Sequence, residues 1–84
     1  MVIEDYKDLY DRWNGNPYFL YNYGAELNYI GQYEKSSEIL EECKSFIDDY
    51  PLRMLLADNA FYLKKWGLAK SHYEMAAYMC PNRF

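Results

Sequence analysis

The sequence predicts an all-α fold, and three observations favour this class. The 84-residue chain has no threonine, one valine and four isoleucines, too few β-branched residues for an ordinary β-sandwich or barrel. Its apolar content of 51% favours a packed core over disorder, although 26% of the residues are charged. Similar residues also recur with a period of 33 or 34 positions, which indicates a helical repeat.

The repeat becomes visible when the chain from Pro17 onward is aligned with itself 33 residues later. Gly24 then aligns with Ala57, and Tyr33 aligns with Trp66, so each pair keeps its size class or its aromatic character. We therefore predict one domain over residues 1–84, made of a half repeat of one helix and two whole repeats. These units span residues 1–15, 16–49 and 50–84.

Each whole repeat is predicted to form two antiparallel helices, which makes about five helices in all. The predicted turns lie at Asn14-Gly15, Gln32-Tyr33 and Trp66-Gly67. The predicted helices run from Ile3 to Trp13, from Pro17 to about Ile30, from Glu34 to about Phe46 or Ile47, from near Pro51 to about Lys64, and from Leu68 to about Met79.

Local signals support these boundaries. Asn16 before Pro17 is typical of a helix start, and Gly31 can adopt the left-handed conformation that ends a helix. Pro81 is predicted to close the last helix. The second helix of the first repeat has an apolar stripe at helical spacing, formed by Ile39, Leu40, Cys43, Phe46 and Ile47.

The period and the helix pairs resemble the tetratricopeptide repeat. The first repeat matches its pattern at Leu20, Tyr23-Gly24, Leu27, Ser36, Leu40 and Cys43, and the second at Leu56-Ala57, Ala60, Ala69, Tyr73, Ala76 and Pro81. Arg53 replaces the first bulky residue of the second repeat, and Asp48 replaces the proline that usually closes the first. The resemblance implies a short right-handed superhelix that acts as a protein-interaction scaffold, with the first helices of the repeats on its concave side.

Three segments are similar to a narrower family, the C-terminal tails of O-antigen ligase or polymerase-like membrane proteins of Bacteroidetes. These segments are Tyr21 to Asn28, Gly31-Gln32-Tyr33, and Met79 to Phe84. The resemblance implies that the chain is a soluble fragment of a membrane protein of surface polysaccharide assembly, in the inner membrane of a Gram-negative bacterium. The residues themselves leave the compartment open.

The charge distribution excludes some classes of partner. The net charge of −4 leaves no basic stripe for nucleic acid, so we expect no DNA or RNA binding. The longest apolar run, Met75 to Cys80, is too short to span a membrane, so we expect no direct membrane insertion.

The two parts of the chain differ in charge: residues 1–49 carry a net charge of −7 and residues 50–84 a net charge of +3. A solvated acidic face is the favoured interpretation, and head-to-tail attraction between units is the alternative.

No arrangement of residues indicates catalysis, so we predict a chain without enzymatic activity, cofactor or metal. The single histidine, His72, is interpreted as a surface or rim side chain, with a pairing to Cys43 or Cys80 as the alternative. Both cysteines are interpreted as packing residues, with a disulfide as the alternative if the chain lies outside the cytoplasm. The remaining candidates form an acidic stripe that is interpreted as a solvated helix face, and they are Glu34, Glu38, Glu41 and Glu42.

Binding is the function that remains, and the first helices of the two repeats supply the candidate residues. Tyr33 and Tyr73 are predicted to fill spaces between helices instead. Three hypotheses follow: a groove for a protein or peptide, a structural domain that docks on its parent protein or forms a homo-oligomer through uncapped repeat ends, and a carbohydrate-contacting surface. The candidate binding surface comprises Tyr18, Tyr21, Asn22, Asn28, Tyr29, Met54, Asp58, Phe61 and Tyr62.

Overall fold

The computed structural model describes residues 2–80, and five α-helices make up most of this segment. It contains no β-strand between residues 2 and 80, so the predicted all-α class is confirmed. The predicted role of Pro81 and the segment Asn82 to Phe84 lie outside the described residues. The helices are α1 (Ile3–Trp13), α2 (Pro17–Tyr29), α3 (Tyr33–Lys44), α4 (Tyr50–Tyr62) and α5 (Trp66–Met79).

Three helix boundaries differ from the sequence prediction by two residues or more, and one of them is the end of α4, which lies at Tyr62 instead of about Lys64. Helix α3 ends at Lys44, so Phe46 and Ile47 follow the helix and are exposed instead of extending its buried stripe. Helix α5 begins at Trp66, two residues before the predicted start, because the preceding turn is completed by Lys64 and Lys65. The predicted turn at Trp66-Gly67 is therefore wrong, and both residues belong to the first turn of α5.

Helices α2 and α4 end in the same hydrogen-bonded turn. After α2, the amide of Gly31 donates to the carbonyl of Asn28 (3.1 Å), and that of Gln32 donates to Leu27 (2.9 Å). After α4, Lys64 takes the place of Gly31 and has the left-handed φ of 63°. A side chain at this position is strained because its Cβ crowds the following carbonyl group, and glycine avoids this strain.

Neighbouring helices pack in sequence order, and the first helices of the two repeats also contact each other. Helix α2 packs on α1 and α3, and α4 packs on α3 and α5. Helices α2 and α4 approach within 8 Å between Cα atoms, whereas no such approach occurs between α3 and α5 in residues 2–80. This difference places α2 and α4 together on one side of the array, where the candidate residues lie.

The contact between α2 and α3 depends on a glycine. A Cβ atom added to Gly24 would lie 2.5 Å from both Cγ and Cδ2 of Leu40, which is far inside van der Waals contact. Leu40 is fully buried in the core with Leu20, Leu27 and Ile39, so any movement away from an added methyl group would disturb the packing of that core. The two helices therefore pack at a distance that only glycine permits.

We predict that Gly24→Ala lowers the free energy of unfolding by about 1–3 kcal/mol, because the added methyl group overpacks the core against Leu40. The matched control is Gly67→Ala, since nothing lies within 4 Å of a Cβ added at Gly67, in the first turn of α5. The control is expected to be neutral or slightly stabilising. Urea denaturation followed by circular dichroism measures both variants, and equal stabilities would contradict the packing described.

We predict that Lys64→Gly raises the free energy of unfolding by up to about 1 kcal/mol, because glycine relieves the left-handed strain after α4. The complementary variant Gly31→Lys is expected to lower stability, because it introduces the same strain after α2, where φ is 86°. Thermal unfolding of the two variants beside the parent chain tests the pair. The prediction is contradicted if Lys64→Gly is less stable than the parent chain. The lysine side chain would then add more to the free energy of unfolding than its left-handed backbone conformation takes away.

Candidate binding face on α2 and α4

Helix α2 has one face that packs against no other described helix. Its buried residues Leu20, Tyr23 and Leu27 recur at helical spacing and point toward α3 and the core. The opposite side carries three of the nine predicted residues, which we call the α2 face: Tyr18, Asn22 and Tyr29. Tyr18 is 73% exposed and Tyr29 is 84% exposed, so both rings are available to a partner.

An apolar cavity of about 270 Å³ opens at the Tyr18 end of this face. Helix α2 contributes Pro17, Tyr18 and Tyr21 to its wall. The other wall comes from the end of α3 and the start of α4, through Cys43, Ile47, Asp49 and Pro51. The structure thus brings the predicted residues Tyr18 and Tyr21 together around one cavity.

Most of the cavity wall was missed by the sequence prediction. Asp49 is the N-cap of α4, and its Oδ1 atom accepts a hydrogen bond from the amide of Leu52 at 3.2 Å. An aspartate two residues before Pro51 is a recognisable helix start, so this cap could have been predicted. Its position beside Tyr21 could not, because that depends on how α4 packs against α2.

Asp49 makes the cavity electrostatically negative. Burial raises the pKa of Tyr21, and the Asp49 carboxylate raises it further. The same two causes, in the same order, raise the pKa of the Cys43 thiol. The Cys43 Sγ also donates a hydrogen bond to the carbonyl of Pro17 at 3.4 Å. Cys43 is therefore a protonated packing residue, in agreement with its sequence interpretation.

Two predicted residues use their polar groups in contacts between helices. The Asn28 amide nitrogen Nδ2 donates to Oδ1 of Asn59 at 2.8 Å, which links α2 to α4. The Tyr73 hydroxyl donates to Oδ1 of Asp58 at 2.6 Å, which links α5 to α4 and raises the pKa of Tyr73 to about 12. Asn28 and Asp58 thus contribute to packing, and both side chains remain partly exposed.

The last three predicted residues lie on α4 and are not among the residues that line the cavity at the Tyr18 end. Met54 is half-buried, and Phe61 and Tyr62 are exposed near the end of the helix. The Tyr62 ring stacks on Tyr33 of α3 at a centroid distance of 4.7 Å, so Tyr33 fills an inter-helix space as predicted. Phe61 contacts Trp66 edge to face at 5.3 Å. These rings form an aromatic cluster composed of Tyr33, Phe61, Tyr62 and Trp66.

The acidic stripe of α3 is only partly solvated. Glu34, Glu38 and Glu41 are exposed, as predicted. Glu42 instead accepts a hydrogen bond from the Tyr10 hydroxyl of α1, which raises the pKa of Tyr10 to about 12. The interpretation of Glu42 as part of a solvated face is therefore wrong, because the Tyr10 side chain of α1 reaches its carboxylate.

His72 is buried, so its interpretation as a surface or rim residue is wrong. Only 5% of its surface is exposed, and its Nδ1 atom lies 3.1 Å from Nη1 of Arg53. Arg53 also pairs with both oxygens of Asp48 at 2.7 Å. Burial lowers the pKa of His72, and the Arg53 charge lowers it further. The neutral imidazole therefore accepts a hydrogen bond from Arg53 and fills a packing position on α5.

Residues 2–80 contain no group of three or more His, Cys, Asp or Glu side chains arranged to hold a metal ion. Across the same residues, each helix is too short or too polar to cross a membrane. Comparisons with protein-family models, with curated proteins and with solved structures found no match to this chain. The two resemblances stated from the sequence therefore stay predictions.

We predict that the chain becomes less stable as the pH falls from about 7 to 5, because His72 has a lower pKa folded than unfolded. The unfolded chain, with a histidine pKa of about 6.5, binds a proton in this range while the folded chain does not. The groups that act on this imidazole are Arg53, Lys44, Glu41 and Asp48.

The test measures urea denaturation at several pH values for the parent chain and for His72→Gln, which cannot titrate. The variant is expected to lose most of the slope between pH 5 and 7. Asp48 affects stability in a different pH range. Its pKa is lowered chiefly by its hydrogen bond to Arg53, so its contribution to the free energy of unfolding is lost below about pH 4. An unchanged slope in His72→Gln would contradict the assignment.

Proposed function

We propose that this chain is a non-catalytic interaction module that binds an extended peptide segment of a partner protein along the α2 face. The observation that carries the proposal is the exposure of Tyr18 and Tyr29 on the side of α2 opposite its buried stripe. Tyrosine is enriched in protein interfaces because its ring offers a large, rigid contact surface and a hydroxyl group for hydrogen bonding.

The dimensions of the α2 face suit a short peptide. Tyr18 and Tyr29 are eleven residues apart, which corresponds to about 16 Å along a helix. An extended peptide covers this distance with about five residues. Asn22 lies between the two tyrosines and is exposed, so its amide can donate to and accept from a peptide backbone.

We further propose, from the resemblances, that the module belongs to the tetratricopeptide-repeat class and is part of a longer O-antigen ligase or polymerase-like membrane protein. In that setting the peptide would come from the parent protein or from another component of surface polysaccharide assembly. Determining the full reading frame tests this proposal, since hydrophobic spans upstream would support it and an unrelated architecture would overturn it.

Self-association is the second candidate function, and the aromatic cluster favours it. Phe61, Tyr62 and Trp66 are each about half exposed at the turn between α4 and α5. Lys64 and Lys65 lie in the same turn, whereas residues 1–49 carry a net charge of −7. A second copy could cover these rings with an acidic surface. Aromatic rings also stack on sugars, so the carbohydrate hypothesis is tested in parallel.

We predict that Tyr29→Ala weakens peptide binding about tenfold, because an exposed interface tyrosine is removed from the α2 face. Random heptapeptides displayed on phage are selected on the immobilised chain, and the enriched sequences are synthesised and titrated by fluorescence anisotropy. The matched control is Tyr78→Ala on α5, since Tyr78 is 84% exposed, as Tyr29 is. The control is expected to bind as the parent chain does.

Three outcomes would contradict peptide binding by the α2 face. The first is enrichment of the same peptides on the double variant Tyr18→Ala/Tyr29→Ala. The second is a selection that enriches no peptide on the parent chain, together with light scattering that shows a dimer for the parent chain and a monomer for Phe61→Ala. This result would support self-association. The third is saturable binding of polysaccharide, and not of peptide, in calorimetry.

A further inference from the structure

We infer that the apolar cavity at the Tyr18 end of the α2 face is a site for the side chain of a lysine or arginine in the partner peptide. The aliphatic part of that side chain would lie against the two prolines and Ile47, and its cationic end would reach the Asp49 carboxylate. This inference names the chemistry of the partner and rests on the proposed function.

The charge of the cavity selects a cation. Among the described residues that line it, Asp49 has the only carboxylate, and no lining residue is a lysine, arginine or histidine. Its neighbour Asp48 is neutralised by Arg53, whereas Asp49 forms no ion pair within 4.0 Å among residues 2–80. Oδ1 of Asp49 caps α4, and Oδ2 remains available as an acceptor. A cation that reaches this oxygen would form a charge-assisted hydrogen bond.

The two helix starts at this cavity do not offer a competing anion site. Pro17 and Pro51 have no backbone N–H group. The amides of Tyr18 and Phe19 donate to Oδ1 of Asn16 at 2.9 and 3.2 Å, and the amide of Leu52 donates to Asp49. Among the amides of these two first turns only that of Tyr50 has no acceptor within residues 2–80, and a single amide is too little to hold a phosphate or carboxylate at a helix start.

The size and the lining of the cavity suit one amphipathic side chain. Its volume of about 270 Å³ lies just below the range of about 300–1,000 Å³ typical of small-molecule sites. Tyr18 and Tyr21 both line the cavity, and a cation near an aromatic ring gains a further attraction. Lysine and arginine are the residues that combine an apolar stem with a cationic end.

The position of the cavity also orients the peptide. Tyr18 belongs both to the cavity and to the α2 face, whereas Tyr29 lies about 16 Å away at the other end of that face. A bound peptide would therefore place its basic residue at the start of α2. The five peptide residues that follow or precede this basic residue would extend along α2 toward Tyr29.

We predict that Asp49→Asn weakens binding of N-acetylarginine amide and N-acetyllysine amide to the isotope-labelled chain about tenfold. Chemical shifts of residues 17–21 and 47–51 are followed by NMR during the titration. Asparagine caps a helix as well as aspartate does, so α4 and the thermal stability of the chain should be preserved. The matched control is Asp8→Asn, which makes the same charge change on the exposed side of α1.

Neutral probes separate the charge from the apolar contact. N-acetylcitrulline amide and N-acetylnorleucine amide are expected to shift the same resonances much less than the cationic probes do. Equal shifts from the neutral probes, or unchanged binding in Asp49→Asn, would overturn the cationic site.

The cationic site and the peptide module can fail separately. The phage-selected peptides are measured on Asp49→Asn and on Tyr29→Ala. A peptide that loses affinity only on Tyr29→Ala overturns the cationic site and leaves the peptide module intact. Enriched peptides that contain a basic residue and lose affinity on both variants support both proposals.

Discussion

The position of α4 depends on a buried hydrogen bond between Asn59 and Ser36. Both side chains are fully buried. Nδ2 of Asn59 donates to Oγ of Ser36 at 2.8 Å, and that hydroxyl donates to the carbonyl of Gly24 at 2.7 Å. Asn28 completes the network by donating to Asn59. A buried amide that loses its partner costs about 1–3 kcal/mol, so sliding or rotating α4 by one residue is strongly disfavoured.

This network connects the core to the proposed binding site. It joins the middle of α2 to α3 at the point where Gly24 permits close packing, and it holds α4 beside both helices. Once α4 is held there, its first turn lies next to the first turn of α2. The cavity between Pro17 and Pro51 is a consequence of this placement, because neither helix alone forms more than one of its walls.

The sequence predicted the features that depend on local spacing and missed those that depend on packing. The start of α2 at Asn16-Pro17, the turn at Gly31 and the small residues Gly24 and Ser36 follow from caps and periodicity, and the structure contains all of them. Asn59 and His72 were not predicted to be buried, because a polar side chain becomes a core residue only when another helix supplies its partner. Lys64 was not predicted as a turn residue, because it adopts a conformation that its own side chain disfavours.

The eleven tyrosines show how one residue type serves both packing and recognition. Tyr23 and Tyr29 lie on the same helix, yet Tyr23 is 3% exposed and stacks on Tyr6, whereas Tyr29 is 84% exposed. Their positions around the helix relative to Leu20 explain the difference. Tyr23 lies three residues from Leu20, on the same helix face, whereas Tyr29 lies nine residues from it, on the opposite face. Since the burial of a tyrosine depends on its position around the helix and not on its residue type, an excess of tyrosine alone identifies neither the core nor a binding site. The rings that remain exposed after the helices have packed are the ones left for a partner.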